Sequence, residues 1–165
     1  GPDLLWRFSE VANRHGYRYF FFGDSEDTLR KLSEKLTVAF PNLLIVGYDS
    51  PPFRTWTPEE YEAMVNMINS AKPDVLWVGL GMPKQEQWIA RHRMDLQVPV
   101  AVGAGASFKF LSGTVPRAPA IVCNLGFEWL WRLAQEPKRV WRRVVIDAPQ
   151  IIAVSYTQLT LPTKA

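Results

Sequence analysis

The apolar and polar positions of this chain fall into alternating blocks that predict strands and helices in turn. Four apolar runs predict buried strands at residues 17–23, 42–48, 74–81 and 98–105. Apolar residues at helical spacing between these runs predict helices at residues 3–15, 25–41, 57–71, 83–96 and, in a shorter piece, 106–113. Apolar strands that alternate with helices indicate a parallel sheet covered on both faces. The predicted fold class is therefore α/β, a Rossmann-like parallel sheet flanked by helices.

The helix at residues 57–71 has a strong start signal. Thr57 is followed directly by Pro58 and, three positions after the threonine, by Glu60. Threonine and glutamate at this spacing form a capping box, and proline suits the first helical position because its missing N–H would have no partner there. We therefore expect the helix to start at this point of the chain.

The alternation of strands and helices stops after Gly113. Residues 114–154 read as helices broken by Pro and Gly, one near residues 121–135 and another from Pro137 onward. We expect a core at residues 1–113 that carries a C-terminal helical appendage at residues 114–154. Residues 155–165 are rich in Thr and show no period, which predicts a disordered tail or a cloning or assembly artefact.

Length and composition are those of a globular domain. The 165 residues suffice to bury a core, and the contents of 47% apolar and 21% charged residues argue against disorder. The single cysteine, Cys123, excludes an internal disulfide framework and favours a reducing compartment. No base stands beside it in the sequence, so we expect a buried thiol. The chain has no signal peptide and no apolar run of bilayer length, although a segment preceding Gly1 could carry one.

The net charge of +3 is modest but unevenly placed. Between residues 113 and 145 the acidic residues are Glu128 and Glu136. The basic residues of the same segment are Arg117, Arg132, Lys138, Arg139, Arg142 and Arg143, and its tryptophans are Trp129, Trp131 and Trp141. Arginine together with tryptophan suits phosphate groups or an anionic membrane face. The alternative is a solvated basic face with tryptophans that serve ordinary packing.

Glycine stands at the end of each predicted strand, where open α/β sheets bind their ligands. The four turns are Gly23-Asp24-Ser25, Gly47-Tyr48-Asp49, Gly79-Leu80-Gly81 and Gly103-Ala104-Gly105. Glycine lets the backbone approach a ligand closely, but it also simply makes turns, so both interpretations stay open. The sequence lacks the full G-x-G-x-x-G spacing and a Walker A loop, so the indication of a dinucleotide site is weak.

The side chains that could bind a metal are scattered. His15 and His92 stand without cysteines or clustered carboxylates, so structural or surface roles are expected for both. Asp24 and Asp49 are isolated, and no D-x-D pair is present to hold a divalent ion with a nucleotide diphosphate. The sequence therefore predicts neither a metal site nor a cofactor.

Gln85 and Glu86 lie in the first turn of the helix that follows the third predicted strand. At helical spacing, the face that carries Gln85 also carries Trp88, Ile89 and His92. One interpretation places Gln85 in a ligand site at the end of the strand. The alternative is that Glu86 merely complements the helix dipole and that Gln85 is solvated.

Successive blocks of the chain resemble the WecG/TagA/CpsF family of bacterial glycosyltransferases. In order they are GPDL with YRYFFFGDSEDT, FPNLLIVGY, GLGMPKQEQWI, VGAGASFKFLSGTVPRAP and FEWLWRLAQEPKRVWRR. The resemblance covers roughly residues 1–145. It implies a Rossmann-like core with a C-terminal helical appendage, in agreement with the pattern of the chain.

The resemblance also implies an activity. A sugar of the N-acetylmannosamine type, or a related hexose, would pass from a UDP-sugar to a polyprenyl-diphosphate-linked acceptor. The product would be a precursor of teichoic acid, enterobacterial common antigen or extracellular polysaccharide. Members of the family need no metal, invert the anomeric centre and are cytoplasmic enzymes associated peripherally with the inner face of the cell membrane. No nucleic-acid partner is implied, and a homo-oligomer is left open.

Particular residues match the family's motifs. By resemblance, Gln85 is a catalytic group that contacts the sugar, and the appendage arginines that close over the diphosphate are Arg132, Arg139 and Arg142. Preorganised cations would favour the reaction, because the UDP leaving group gains charge in the transition state and no metal shares that task. The expected substrate-binding residues are Gly79, Gly81, Pro83, Glu86, Gly103, Gly105 and Lys109.

Two departures from the family pattern bear on activity. The family's general base, an Asp, and an acceptor-binding Thr stand in blocks upstream of GPDL that this chain does not contain. An inverting transfer needs a base, so the chain is expected to be an inactive or crippled fragment. The missing upstream sequence would also remove a strand and leave an uncovered sheet edge, which is expected to lower solubility. Lys109 stands where many members carry Asp, which either weakens a nucleotide contact or supplies a cation to a phosphate.

Two other functions are alternatives to the transferase. A degenerate, non-catalytic module that binds a nucleotide-sugar or a membrane is favoured by Lys109 and by the missing base. The intact Gln85 block and the appendage arginines favour the transferase for the parent protein. An NAD-dependent oxidoreductase would need an acidic ribose ligand after a proper glycine fingerprint, and the sequence has neither.

Overall fold

The computed structural model describes residues 1–52 and 54–116, which contain the four predicted strands. In chain order the elements are α1 Pro2–His15, β1 Arg18–Phe22, α2 Glu26–Ala39, β2 Leu44–Asp49, α3 Pro58–Ala71, β3 Val75–Val78, α4 Lys84–His92, β4 Val100–Gly103 and α5 Ser107–Ser112. Within this part of the chain the strands form one sheet in the order β2-β1-β3-β4, and each neighbouring pair is parallel. The predicted α/β class is confirmed.

Helices cover both faces of the sheet. One core cluster joins α1, α2 and α5 to one face of β1 and β3, with Tyr19, Phe21 and Trp77 at its centre. The second cluster joins α3 and α4 to the opposite face, where Phe20 and Phe22 alternate with the residues of the first cluster. Successive side chains of a strand point to opposite faces, so the continuous aromatic run of β1 fills both cores.

The capping box at the start of α3 is confirmed. The Thr57 hydroxyl accepts a hydrogen bond from the Glu60 amide at 3.3 Å, and the Glu60 carboxylate accepts one from the Thr57 amide at 2.9 Å. These two bonds satisfy donors that the first turn of a helix otherwise leaves without partners.

Several observed elements are shorter than the predicted ones. Helix α4 ends at His92 rather than at residue 96, and Leu96 and Val98 pack into the second core after a turn. Strand β3 ends at Val78 because residues 79–81 form the turn that leads into α4. Leu96 is buried and its amide still donates to the His92 carbonyl at 3.0 Å, and the Gly79 amide still donates to the Phe22 carbonyl at 2.7 Å. The sequence pattern therefore continues past the ends of both elements.

The predicted appendage lies almost entirely outside the described residues, as does the predicted tail at residues 155–165. Cys123 and the basic residues from Arg117 to Arg143 also lie outside them. The division of the chain at residue 113 therefore stays a prediction. Among the residues that are described, no helix has both the length and the apolar character needed to cross a membrane.

Candidate functional site at the carboxyl edge of the sheet

The carboxyl ends of the four strands lie side by side at one edge of the sheet. The parallel register pairs Phe22 of β1 with Asp49 of β2 and with Val78 of β3, which in turn pairs with Gly103 of β4. Backbone hydrogen bonds continue the ladder by one residue, from Gly79 to Phe22 at 2.7 Å and from Ala104 to Val78 at 2.7 Å. The glycine turns predicted to approach a ligand are thus held next to one another.

The loop between β3 and α4 carries three of the predicted substrate-binding residues, Gly79, Gly81 and Pro83. The Met82–Pro83 peptide bond is cis. The backbone amide of Gln85 donates a hydrogen bond to the Gly81 carbonyl at 2.9 Å, which joins the first turn of α4 to this loop. Gln85 and Glu86 are therefore presented directly at the carboxyl edge of the sheet.

Gln85 connects this loop to the turn after β4. Its side chain is buried, with 4% of its surface exposed, and its Oε1 accepts a hydrogen bond from the Gly105 amide at 2.8 Å. A Cβ atom on residue 103 would lie 2.6 Å from Gln85 Nε2, so glycine at that position is what allows the carboxamide to cross the end of β4. The alternative in which Gln85 is solvated is wrong.

The other end of the Gln85 carboxamide is held by its neighbour. Nε2 donates a hydrogen bond to Glu86 Oε1 at 2.8 Å, and the Glu86 side chain itself is exposed. Within residues 1–52 and 54–116, Gln85 is the residue whose side chain donates a hydrogen bond to the Glu86 carboxylate. The buried Gln85 carboxamide thus orients the Glu86 carboxylate, which is exposed at the surface beside the Gly103–Gly105 turn.

Helix α4 is fixed to the sheet by the side chains predicted to share a face with Gln85. The rings of Trp88 and Phe22 have centroids 4.6 Å apart, and Ile89 packs against the same core. His92 is buried between Trp88, at 5.0 Å, and Tyr61 of α3, at 5.1 Å. This packing confirms the predicted face and supports the structural role expected for His92.

The surroundings of His92 favour its neutral form. Burial lowers the pKa of the imidazole, and the nearby Arg91 lowers it further, whereas the Asp95 carboxylate, 3.8 Å from Nδ1, opposes both. His92 Nε2 is buried without a hydrogen-bond partner among the described residues. The other histidine, His15, is exposed on α1. Within residues 1–52 and 54–116, no three His, Cys, Asp or Glu side chains are grouped to hold a metal ion.

Two aspartates that the sequence shows as isolated are brought to the same edge. The Ser50 hydroxyl donates to the Asp24 carbonyl at 2.7 Å, and the Gly23 amide donates to the Asp49 carbonyl at 3.0 Å. Burial raises the pKa of the Asp49 carboxyl, as expected for a carboxylate taken partly out of water. Asp24 and Asp49 lie close together because β1 pairs with β2. Their separation of 25 positions in the sequence does not reveal this pairing.

The described residues include one of the predicted cations, Lys109, but not the three predicted arginines. Lys109 lies on α5, which begins two residues after Gly105, and its side chain is partly exposed. The three arginines expected to close over a diphosphate, Arg132, Arg139 and Arg142, lie outside the described residues. The described part of the site therefore offers glycine turns and the carboxylates of Asp49 and Glu86. Such groups suit a ligand that is rich in hydroxyls.

Comparison with known proteins connects this geometry to a family. The family model described as Glycosyl transferase WecG/TagA/CpsF family matches residues 1–164. An N-acetylglucosaminyldiphosphoundecaprenol N-acetyl-beta-D-mannosaminyltransferase of Bacillus subtilis (strain 168) is 33% identical over 145 residues, 88% of this chain and 54% of the relative. The proteins of that name from Bacillus spizizenii and from Staphylococcus aureus (strain MW2) are 32% and 29% identical, over 93% and 86% of this chain and 58% and 54% of the relatives. The chain thus spans about half the length of the curated relatives it matches.

Proposed function

The chain belongs to the WecG/TagA/CpsF family of glycosyltransferases, and we propose that it serves the transfer of a sugar from a UDP-sugar donor to a polyprenyl-diphosphate-linked acceptor. The observation that carries the proposal is the family match over residues 1–164, which includes the whole carboxyl edge built around Gln85 and Gly105. In open α/β sheets this edge is where nucleotides and their conjugates bind.

The names of the relatives support a particular donor and acceptor. They are N-acetylmannosaminyltransferases that act on N-acetylglucosaminyldiphosphoundecaprenol. We infer a donor sugar of the N-acetylmannosamine type and an acceptor with a sugar on a polyprenyl diphosphate, used for teichoic acid or another cell-surface polysaccharide. The Glu86 carboxylate supports a sugar ligand, because the hydroxyl and amide groups of a sugar can donate hydrogen bonds to it.

We infer a metal-independent, inverting reaction. The acceptor hydroxyl attacks the anomeric carbon from the face opposite to UDP, loses its proton to a base, and UDP leaves as an anion. In this proposal Arg132, Arg139 and Arg142 neutralise the growing charge on the diphosphate, a task that guanidinium groups perform through paired hydrogen bonds. The glycine turns and Gln85 belong to the donor side of the site.

The experiment that tests donor recognition is calorimetric titration of the 165-residue protein with UDP, GDP and ADP. We expect UDP to bind at least about tenfold more tightly than the other two, a difference of about 1.4 kcal/mol. Addition of EDTA should leave the UDP affinity unchanged. Equal affinities for the three nucleotides, or loss of UDP binding in EDTA, would contradict the proposal.

The acceptor is lipid-linked, so we also propose peripheral contact with the inner face of the cell membrane. The basic, Trp-bearing segment from residue 113 to 145 supports this, because arginine and tryptophan favour an anionic interface. Truncation after Gly113 should reduce co-sedimentation with vesicles that contain anionic lipid. Vesicles of neutral lipid are the matched control, and unchanged sedimentation of the truncated protein would exclude this role of the segment.

Lys109 favours a second candidate, a degenerate module that binds the nucleotide-sugar without transferring it. The charge at this position is opposite to that of the Asp that the family pattern leads us to expect. Lys109→Asp distinguishes the two contributions of the lysine. A higher UDP affinity in the variant would favour the degenerate module, whereas a lower affinity would indicate that the lysine contacts a phosphate.

A further inference from the structure

The hydrogen-bonding groups of Gln85 are engaged within the protein. With 4% of its surface exposed, the side chain offers little area to a ligand. Its acceptor oxygen binds the Gly105 amide, and its amino group binds the Glu86 carboxylate, each at 2.8 Å. A buried carboxamide that is hydrogen-bonded at each end holds two parts of the chain together, because breaking either bond leaves a buried polar group without that partner.

Glu86 has the opposite character. Its side chain is exposed at the carboxyl edge, and the hydrogen bond from Gln85 is on Oε1. Among the described residues no hydrogen bond is formed to Oε2, and the exposed side chain carries this oxygen at the carboxyl edge. The bond from Gln85 reduces the rotational freedom of the carboxylate before any ligand arrives, which lowers the entropic cost of binding.

We propose that Gln85 is a positioning residue and that Glu86 is the side chain that meets the donor, through a hydroxyl or amide N–H of its sugar. This inference rests on the proposed function and specifies which half of the donor lies at this point of the edge. A carboxylate repels a diphosphate but forms short, charge-assisted hydrogen bonds with neutral hydroxyl and amide donors. Glu86 therefore suits the sugar and not the phosphates.

Glu86→Gln is the most direct test. The substituted amide keeps an oxygen that can accept from Gln85 Nε2, so the link to the Gly105 turn and the melting temperature should be retained. We expect the affinity for UDP-N-acetylmannosamine, measured by calorimetry, to fall about tenfold. The affinity for UDP, which has no sugar at this point, should stay the same. A role of Glu86 in stability alone would change both affinities together.

Gln85→Glu tests the positioning role through its pH dependence. The new side chain keeps an acceptor for the Gly105 amide but places a second carboxylate beside Glu86, where the two charges repel each other. Donor affinity should be weak at neutral pH and should recover as the pH falls, because one protonated carboxyl can again donate to the other. Gln87→Glu is the matched control, since Gln87 is exposed on the same helix and its variant adds the same charge.

The possible outcomes separate this inference from the proposed function. If the unchanged protein binds neither UDP nor UDP-N-acetylmannosamine, the proposed function and the inference both fail. If it binds both and Glu86→Gln leaves the difference between them intact, the inference alone is overturned. Equal losses of UDP and UDP-sugar affinity in Glu86→Gln would also overturn it, because Glu86 would then act on the nucleotide or on the fold. A Gln85→Glu profile identical to that of Gln87→Glu would exclude the positioning role.

Discussion

The ring of Phe108 lies directly against the backbone of Gly79, so closely that a Cβ atom on residue 79 would come within 2.4 Å of the Cδ2 and Cε2 atoms. Phe108 is fully buried on α5 and makes an edge contact with Phe21, their centroids being 5.4 Å apart. Helix α5 can close over the end of β3 only because residue 79 has no side chain. The glycine predicted to admit a ligand thus has a packing role as well.

Gly79→Ala is therefore expected to reduce stability. Overpacking of a tight core contact costs about 1–3 kcal/mol, since either the Phe108 ring or the backbone must move. Phe108→Leu, which removes ring atoms at this contact, should restore part of the loss in the double variant. Chemical denaturation of the two single variants and the double variant measures the coupling. Strictly additive losses would contradict a direct clash between these two residues.

The buried His92 should make stability depend on pH. Burial and Arg91 lower its pKa in the folded protein, so the unfolded chain takes up a proton near the ordinary value of 6.5 while the folded protein does not. Its contribution to stability is therefore complete above pH 6.5 and is lost as the pH falls toward the lower folded pKa. Melting temperatures recorded from pH 8 to pH 5 should fall in this window.

Substitution of the two histidines separates this effect from other groups. His92→Phe should flatten the pH profile, because phenylalanine can still pack between Tyr61 and Trp88 without taking up a proton. This variant loses the interaction of His92 with the Asp95 carboxylate, which remains largely exposed to water. His15→Gln changes an exposed histidine and should leave the profile unchanged. A full pH dependence in His92→Phe would show that another group is responsible.

The capping box of α3 should respond to acid. Hydrogen bonds from Arg54 and from the Thr57 amide lower the pKa of Glu60 from 4.5 to about 2. A depressed carboxyl pKa contributes stability that is present above pH 4.5 and is lost as the pH falls toward 2. In Glu60→Gln, which can still cap Thr57, the fall in melting temperature between pH 5 and pH 2 should be smaller. The difference should shrink in high salt, because Arg54 and Glu60 are on the surface.

The appendage arginines should govern affinity for the diphosphate. Arg132→Gln, Arg139→Gln and Arg142→Gln should each weaken UDP binding by about tenfold or more and reduce its dependence on salt, since each removes a charge-assisted hydrogen bond. Affinity for uridine, which has no phosphate, should not change. Arg7→Gln removes the same charge from an exposed position on α1 and should have no effect. Equal losses for uridine and UDP would indicate that these arginines support the fold instead.

The sequence by itself determined the order of elements, the parallel α/β class, the start of α3 and the membership of the family. These features depend on neighbours close in the chain: the spacing of apolar side chains, the pairing of Thr57 with Glu60, and motifs such as GLGMPKQEQWI. The capping box and the spacing of apolar side chains are local features, so they are visible in short windows of residues.

Only the tertiary structure decided how the residues of the candidate site are arranged. Gln85 meets Gly105 across 20 positions of sequence, Phe108 meets Gly79 across 29, and the turns of Asp24 and Asp49 touch because β1 pairs with β2. No local pattern encodes these contacts, because they follow from the strand order β2-β1-β3-β4 and from which helix packs on which face. The sequence therefore showed that Gln85 and Glu86 stand at the end of a strand. Packing determined that the first is buried as a link within the protein and that the second is presented to solvent.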